Sequence, residues 1–203
     1  MVIDRAELGA WLRLTETPKL GRQAARRLLA AFGSPEAVFA AGPDAWAQAA
    51  GSRAIVGLLE SPPPTLPALI GATLRWLDAL PETRHVIVLG DPQFPPALLE
   101  SPDPPLLLFA QGRIELLRSE SIAIVGSRRP TPQGIANAEE FAAALVGAGL
   151  AIVSGLALGI DAAAHRGALR DGGATIAVIG TGIDQCYPRS NRGLADRISA
   201  EGL

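Results

Sequence analysis

The chain has 203 residues, 48% of them hydrophobic, and carries 18 Lys and Arg against 20 Asp and Glu for a formal net charge of −2. That is enough apolar material for one full domain and a smaller companion, and too little positive charge for a generally basic surface, so any nucleic-acid contact must come from a local patch. A lone cysteine, Cys186, excludes an intramolecular disulfide framework and fits a reducing compartment, and with only two histidines besides no metal cluster is expected. The opening MVIDRAELGAWLRL has charges at both ends of short apolar runs, which predicts neither a signal peptide nor a membrane span and makes the cytoplasm the expected compartment.

Residues 4–80 predict small helices. Leu8, Trp11, Leu12 and Leu14 mark an amphipathic first helix that TPKLG breaks at Thr17 to Gly21. Arg22 to Phe32 is a strong second helix stopped by Gly33, and Ser34 caps a short third with Pro35 at its first position. Asp44 is expected to cap a fourth in the same way. SPPPTLP, with four prolines in seven residues from Ser61 to Pro67, predicts a stiff connector ahead of a helix over Leu69 to Leu80. The stretch PKLGRQAARRLLAAFGSPEAVFAA resembles the helix-hairpin-helix or SAM-like modules of DNA-repair proteins, whose glycine-rich hairpin turns its amide groups to a phosphate. Here Lys19 stands near the expected first glycine and only Gly21 remains, so the plainer expectation is a helical bundle with Arg22, Arg26 and Arg27 on a solvated face. Either way residues 1–80 read as a binding or docking element.

Residues 81–120 form a joint, with the domain boundary expected near Pro81. Arg84 to Leu89 and Leu106 to Ala110 predict short strands on either side of a proline-rich excursion. Then SIAIVGSRRPTPQG, LAIVSGLALGIDAAAH and ATIAVIGTGIDQCYP each open on a short Ile- and Val-rich run and break into Gly and Ser. A buried parallel strand ending in a tight loop has this pattern, and two of the three loops lead into Ala-rich helical sequence. The prediction for residues 81–203 is a Rossmann-like α/β domain with its site at the carboxyl ends of the strands.

In the first loop Gly126 lets a backbone approach a ligand, the start of a helix from about Ile135 attracts anions, and Arg128 adds a permanently charged fork suited to phosphate. In the second, Ser154, Gly155 and Gly159 supply small side chains and exposed amides, again apt for phosphate. Asp161 and His165 stand four apart on one helical face. They read either as an orienter and general base with Ser154 as nucleophile or, as we favour, as a helix cap and a structural hydrogen-bond network. The third loop, GTGIDQ from Gly180 to Gln185, fails as a dinucleotide fingerprint: Gln185 takes the last glycine position, and Tyr187 and Pro188 follow where a helix should continue. Asn191 and Arg192 are expected to open a final helix, initiated by Ser190 or Asn191.

GSRRPTPQG, SGLALGIDAAAH and GTGIDQCYPRSNRGLADRISAEG together resemble the DNA-processing protein A (DprA/Smf) family over residues 121–203, and the helical region with PPLLLFAQG agrees with the family's upstream layout. The resemblance implies a Rossmann-like domain that binds single-stranded DNA, protects incoming strands during natural transformation and helps load the RecA recombinase. It implies a homodimer when full length, no cofactor, and binding with no bond made or broken. Family phosphate contacts carry over onto Gly126, Ser127, Arg128, Ser154, Gly155 and Gly159, and Asp161, His165, Tyr187 and Asn191 match motif positions. Many relatives carry Lys or Arg where Leu158 stands, and losing that charge is expected to flatten the salt dependence of binding by about 0.7 in slope. Relatives also continue past this point, so the resemblance implies a C-terminally truncated sheet with an open hydrophobic edge. The alternative is a nucleotide hydrolase of the phosphoribohydrolase type with a similar core, but the PGGxGTxxE motif of those enzymes is not among these residues. A third possibility is a fold that only docks partners through residues 4–80.

Overall fold

The structure is a computed structural model that describes residues 3–170 and 172–203. It has two compact units, one up to Leu108 and one from Phe109 onward.

The first unit is built on helices α1 (Arg5–Glu16), α2 (Arg22–Phe32), α3 (Pro35–Ala40), α4 (Pro43–Ala50), α5 (Val56–Leu59) and α6 (Leu66–Ala79). Strand β1 (Arg84–Val88), helix α7 (Pro96–Leu99) and strand β2 (Leu107–Gln111) follow, and the Leu89 amide donates to the Leu106 carbonyl just ahead of β2. The apolar stripe of α1 goes inside as its spacing requires: Leu8, Trp11, Leu12 and Leu14 pack with Leu28, Val38, Trp46 and Leu59. Burying a tryptophan leaves its N–H in need of an acceptor, and Trp46 Nε1 finds the Val38 carbonyl at 2.6 Å.

Three expectations for this unit are corrected. Asp44 does not cap α4: Gly42 holds the cap position, Pro43 opens the helix, and Asp44 inside the first turn faces Arg53 at 3.0 Å. The helix α6 starts at Leu66 and absorbs Pro67, because a proline in the first turn lacks only an N–H that would have had no helical partner. Of the α2 arginines, Arg22 and Arg27 are exposed as a solvated face requires, but Arg26 is half-buried, and all three have partners. Arg22 and Arg26 converge on Asp103, Arg26 also donates to the Pro102 and Pro104 carbonyls, and Arg27 donates to the Ala50 carbonyl. The Arg26 hydrogen bond and the paired charges hold the Asp103 carboxyl below its ordinary range. In the hairpin before α2, Lys19 takes the left-handed conformation, φ 65°, that glycine adopts without steric cost.

The second unit carries a parallel sheet of β3 (Ser121–Ala123), β4 (Ala151–Ser154) and β5 (Thr175–Ala177), in that order, with Ile122 opposite Ile152 and Val153 opposite Ile176. Helix α8 (Pro132–Gly147) links β3 to β4, α9 (Ile160–Ala168) links β4 to β5, and α10 (Arg192–Glu201) follows. The helix α8 starts three residues before the expected Ile135, since Thr131 accepts from the Gly134 amide and Pro132 sits at the first position. Small residues bring α8 and α9 together: Ala142, Ala164 and Ala168 are fully buried, and a Cβ on Gly167 would lie 2.8 Å from Glu139 Cα. Over that contact Glu139 binds Arg166 at 2.8 Å and Arg170 at 3.0 Å. Leu203 lies along β5, donating to the Thr175 carbonyl and accepting from the Ala177 amide, while Val125 and Val178 at the strand ends stay exposed.

Candidate nucleic-acid interface

The sheet delivers its three loops to one end, and hydrogen bonds weld the first two together. Past β3 the pairing continues through the Ile124 amide to the Val153 carbonyl, and the chain then turns at Gly126 to Pro130. Ser127 Oγ accepts from the Arg129 amide at 3.0 Å, closing the turn, and the Ser127 carbonyl accepts from the Ile160 amide at the start of α9. Gly159, at φ 81°, permits this approach: a Cβ there would stand 2.8 Å from Pro130 Cδ and 2.9 Å from the Arg128 carbonyl carbon. Gly126 in turn lies over Ile160, where a Cβ would come within 2.9 Å of Cγ1. These two glycines therefore serve loop-to-loop packing.

The second loop is held from both sides. Ser154, 3% exposed, donates to the Ile124 carbonyl at 2.6 Å, so its hydroxyl ties β4 to the strand next to it. Asp161 Oδ2 accepts from the Gly155 amide at 3.1 Å and the Ala157 amide at 3.4 Å, and Asn191 Nδ2 donates to the Leu156 and Ala157 carbonyls at 2.9 and 3.2 Å. Between these clamps Leu156 sits at φ 57° with its side chain buried against Leu169 and Ile198. A branched residue in that region is strained by about 1–2 kcal/mol, and such strain persists where the surroundings over-determine it.

Several expectations change accordingly. The Gly155 amide is already used by Asp161, and Asn191 does not cap α10 with its side chain but braces the loop. Asp161 and His165 do not form an orienter and base. His165 is fully buried with Nδ1 2.7 Å from Thr175 Oγ1, which donates to the Ile152 carbonyl at 3.0 Å. Burial pushes the His165 pKa down to about 4, with the Asp161 charge and the Ser154 carbonyl opposing in part, so the ring is neutral in the physiological range. With Ser154, Asp161 and His165 each committed to the scaffold, a structural network is present as favoured, but Asp161 is not the expected helix cap: Gly159 holds the cap position of α9, and Asp161, inside the first turn, accepts from the amides of the preceding loop.

The clamped loops leave Ser127, Arg128 and Arg129 facing solvent. Among the described residues neither Arg128 nor Arg129 has an ion-pair partner, whereas Arg22, Arg26, Arg166 and Arg170 all do. The third loop is a compact turn, with Thr181 Oγ1 donating to the Gln185 carbonyl and the Gln185 amide to the Gly182 carbonyl, both at 2.8 Å. A 3-10 turn over Arg189–Asn191 intervenes before α10, so no helix N-terminus meets this loop as a dinucleotide fold would require. A cavity of about 170 Å³ opens among the loops, lined by Arg128, Gly155, Leu158, Thr181, Tyr187 and Pro188 together with their neighbours. The structure thus brings Arg128 and Tyr187 to one pocket edged by Gly155, and places Ser154, Asp161, His165 and Asn191 behind or beside it. Sequence reasoning missed Leu156, Ile160, Thr175 and Thr181. Only Thr175, a β-branched polar residue opening a strand one helix length after His165, left a usable signal.

Residues 85–203 match the family model for DNA recombination-mediator protein A, and residues 5–58 match that for the DprA-like N-terminal HHH domain. The chain belongs to the DNA recombination-mediator protein A family. Among members of this family, the Smf protein of Synechocystis sp. is 48% identical over 117 residues, covering 56% of this chain and 29% of that protein. The DNA processing protein DprA of Streptococcus pneumoniae is 48% identical over 113 residues, covering 56% and 40%. A solved structure of the S. pneumoniae protein superposes with a TM-score of 0.74 at 31% identity, covering 99% of this chain and 66% of that one. A structure of the Helicobacter pylori protein, concerned with its single-stranded DNA binding mode, gives a TM-score of 0.52 at 34% identity over 58% and 53% of the two chains. The matches thus span 29% and 40% of the Synechocystis and S. pneumoniae family members. Among the described residues no helix is long and apolar enough to cross a membrane.

Proposed function

We propose that this chain binds single-stranded DNA as a recombination mediator, and that Arg128 with the Gly126 and Ser127 backbone forms its phosphate seat. One observation carries the reading: two loops at the carboxyl ends of parallel strands are hydrogen-bonded into a platform from which Arg128, with no ion-pair partner among the described residues, faces a cavity. A platform that keeps its shape without ligand loses little ordering entropy when a phosphate arrives, and a guanidinium without an internal partner gives up no ion pair to meet it. Ser154, Gly155, Gly159, Asp161, His165 and Asn191 act by holding the loops, and Tyr187 stands at the rim. The relation to the H. pylori protein supports single strands as the ligand.

Around that site the family supplies the wider role: strand protection in the cytoplasm, delivery to the RecA recombinase, and work as a homodimer, with no cofactor and no bond made or broken. The helical region over residues 1–80 is the docking element. Its α2 arginines are committed to Asp103 and Ala50, which favours protein contact over phosphate contact. The reading is tested by titrating a labelled single strand against the chain with unlabelled duplex as competitor. Binding that survives duplex excess supports it; equal competition by duplex, or no binding by folded chain, refutes it.

A further inference from the structure

A second cavity, of about 230 Å³, lies in the helical unit, where the hairpin joining α1 to α2 meets the segment that leads into β2. Leu14, Thr15, Leu20 and Arg22 line it from the hairpin and Pro105 to Leu107 from the segment. Its floor is apolar. Leu14 and Leu106 are buried, and the Thr15 hydroxyl donates to the Trp11 and Leu12 carbonyls at 3.1 Å, so its one proton is spent inside α1. A water needs two to four polar partners to settle, and this floor does not supply them, so an apolar group is the better occupant. The volume falls below the roughly 300–1,000 Å³ of small-molecule sites and suits one large side chain, the form in which protein interfaces bury their anchors. The mouth is positive, although the whole chain carries a net charge of −2. Arg22 and Arg26 share the single carboxylate of Asp103, and Lys19, exposed beside Leu20, has no ion-pair partner among the described residues. Glu16, exposed at the end of α1, offsets one of these charges, so three cations stand against two carboxylates.

Resting on the docking role given above to residues 1–80, we infer that this cavity receives one large apolar side chain of a partner protein, borne on an acidic segment whose carboxylates meet Lys19 and the surplus charge of Arg22 and Arg26. The apolar anchor supplies the affinity, because it exchanges water for the Leu14 and Leu106 floor, and the acidic flanks supply selectivity and speed of encounter. A nucleic-acid strand would meet the same cations, but two of the three are already paired and its phosphates have no use for an apolar floor, so a protein segment is favoured.

The test pans a phage-displayed library of random peptides against the full chain, then titrates the enriched peptides, synthesised with a fluorescent label, against the chain and two variants. Thr15→Phe fills the cavity from its rim, and Lys19→Glu reverses an exposed charge that has no ion pair to lose, so the second variant keeps the fold even if the first does not. Enriched peptides are expected to carry one large apolar residue among Asp and Glu. Alanine at that residue and Thr15→Phe should each weaken binding by about tenfold or more, and Lys19→Glu by about two- to fivefold, less at high salt. Enrichment of basic or uncharged peptides, or binding that Lys19→Glu leaves unchanged, would overturn the acidic segment. Binding that a folded Thr15→Phe chain retains in full would overturn the cavity. If peptide-dependent amide protection then falls elsewhere within residues 1–80, the docking role stands without this inference; if no peptide is enriched, or protection falls only beyond residue 108, both fall. A labelled single strand that loses affinity for both variants would assign the cavity to nucleic acid and overturn the protein partner.

Discussion

Replacing Asp161 with alanine tests whether the second loop is held by this one carboxylate. Its Oδ2 accepts two backbone amides, Gly155 at 3.1 Å and Ala157 at 3.4 Å, and the side chain is 7% exposed at the first turn of α9. A hydrogen bond to a charged group nets roughly 1.5–3 kcal/mol, and the longer second bond counts for the lower part of that range or less. A negative charge at a helix start adds about 0.3–1 kcal/mol. Set against these, release of the Leu156 backbone from its left-handed conformation returns about 1–2 kcal/mol. The net cost is about 2–3 kcal/mol, which for a unit of this size lowers the melting midpoint by roughly 10–20 °C. Asp161→Asn keeps an acceptor and loses the charge, so it is expected to fall between. Hydrogen exchange followed with thermal melts reads both effects: the Gly155 and Ala157 amides should lose protection in the alanine variant before the sheet amides do. Unchanged exchange at those two amides, or a midpoint within about 2 °C of the original, would refute the clamp.

Two further outcomes follow from the same scaffold. His165 is neutral when folded, with its pKa lowered from 6.5 to about 4 by burial, so between those values the unfolded chain binds the extra proton. Stability of the second unit is therefore full above about pH 6.5 and falls as the pH drops toward 4, by about 3 kcal/mol in all; denaturant midpoints across that range check it, and His165→Gln should flatten the curve. Gly159→Ala introduces a Cβ 2.8 Å from Pro130 Cδ at a φ of 81°, so it should cost about 2–4 kcal/mol and displace the first loop, and with it strand affinity. Circular dichroism melts beside strand titrations measure both.

The strands and most helices were legible because local chemistry and tertiary packing agree in them. The Arg22 to Phe32 helix ends where Gly33 turns to φ 85°, and Ser34 caps α3 through the Ala37 amide, as their residue types require. Prolines misled at Pro67 and Pro132, since a proline at a first helical turn and one in a connector look alike until the next turn is known to be helical. The site was legible as a set of loops but not as a division of labour. Glycines that suit a phosphate also suit a second loop packed on the first, and only the register of Gly159 against Pro130 and Arg128 decides between them. Asp161, Asn191 and the arginines of α2 are polar residues whose partners lie on other elements, from 4 residues away for Asp161 and Ala157 to 77 for Arg26 and Asp103. Spacing along one helix could not show those partners, and Leu156 carries no sign in its type of a left-handed backbone.

The measurement that bears most directly on the central claim is the salt dependence of single-strand affinity for the chain and for Arg128→Ala, by fluorescence anisotropy. Arg128 has no ion-pair partner among the described residues, so its removal is expected to leave the fold intact, weaken binding at low salt, and reduce the slope of log affinity against log salt by about 0.7. An unchanged slope and affinity in a folded Arg128→Ala chain would show that no phosphate sits at that loop.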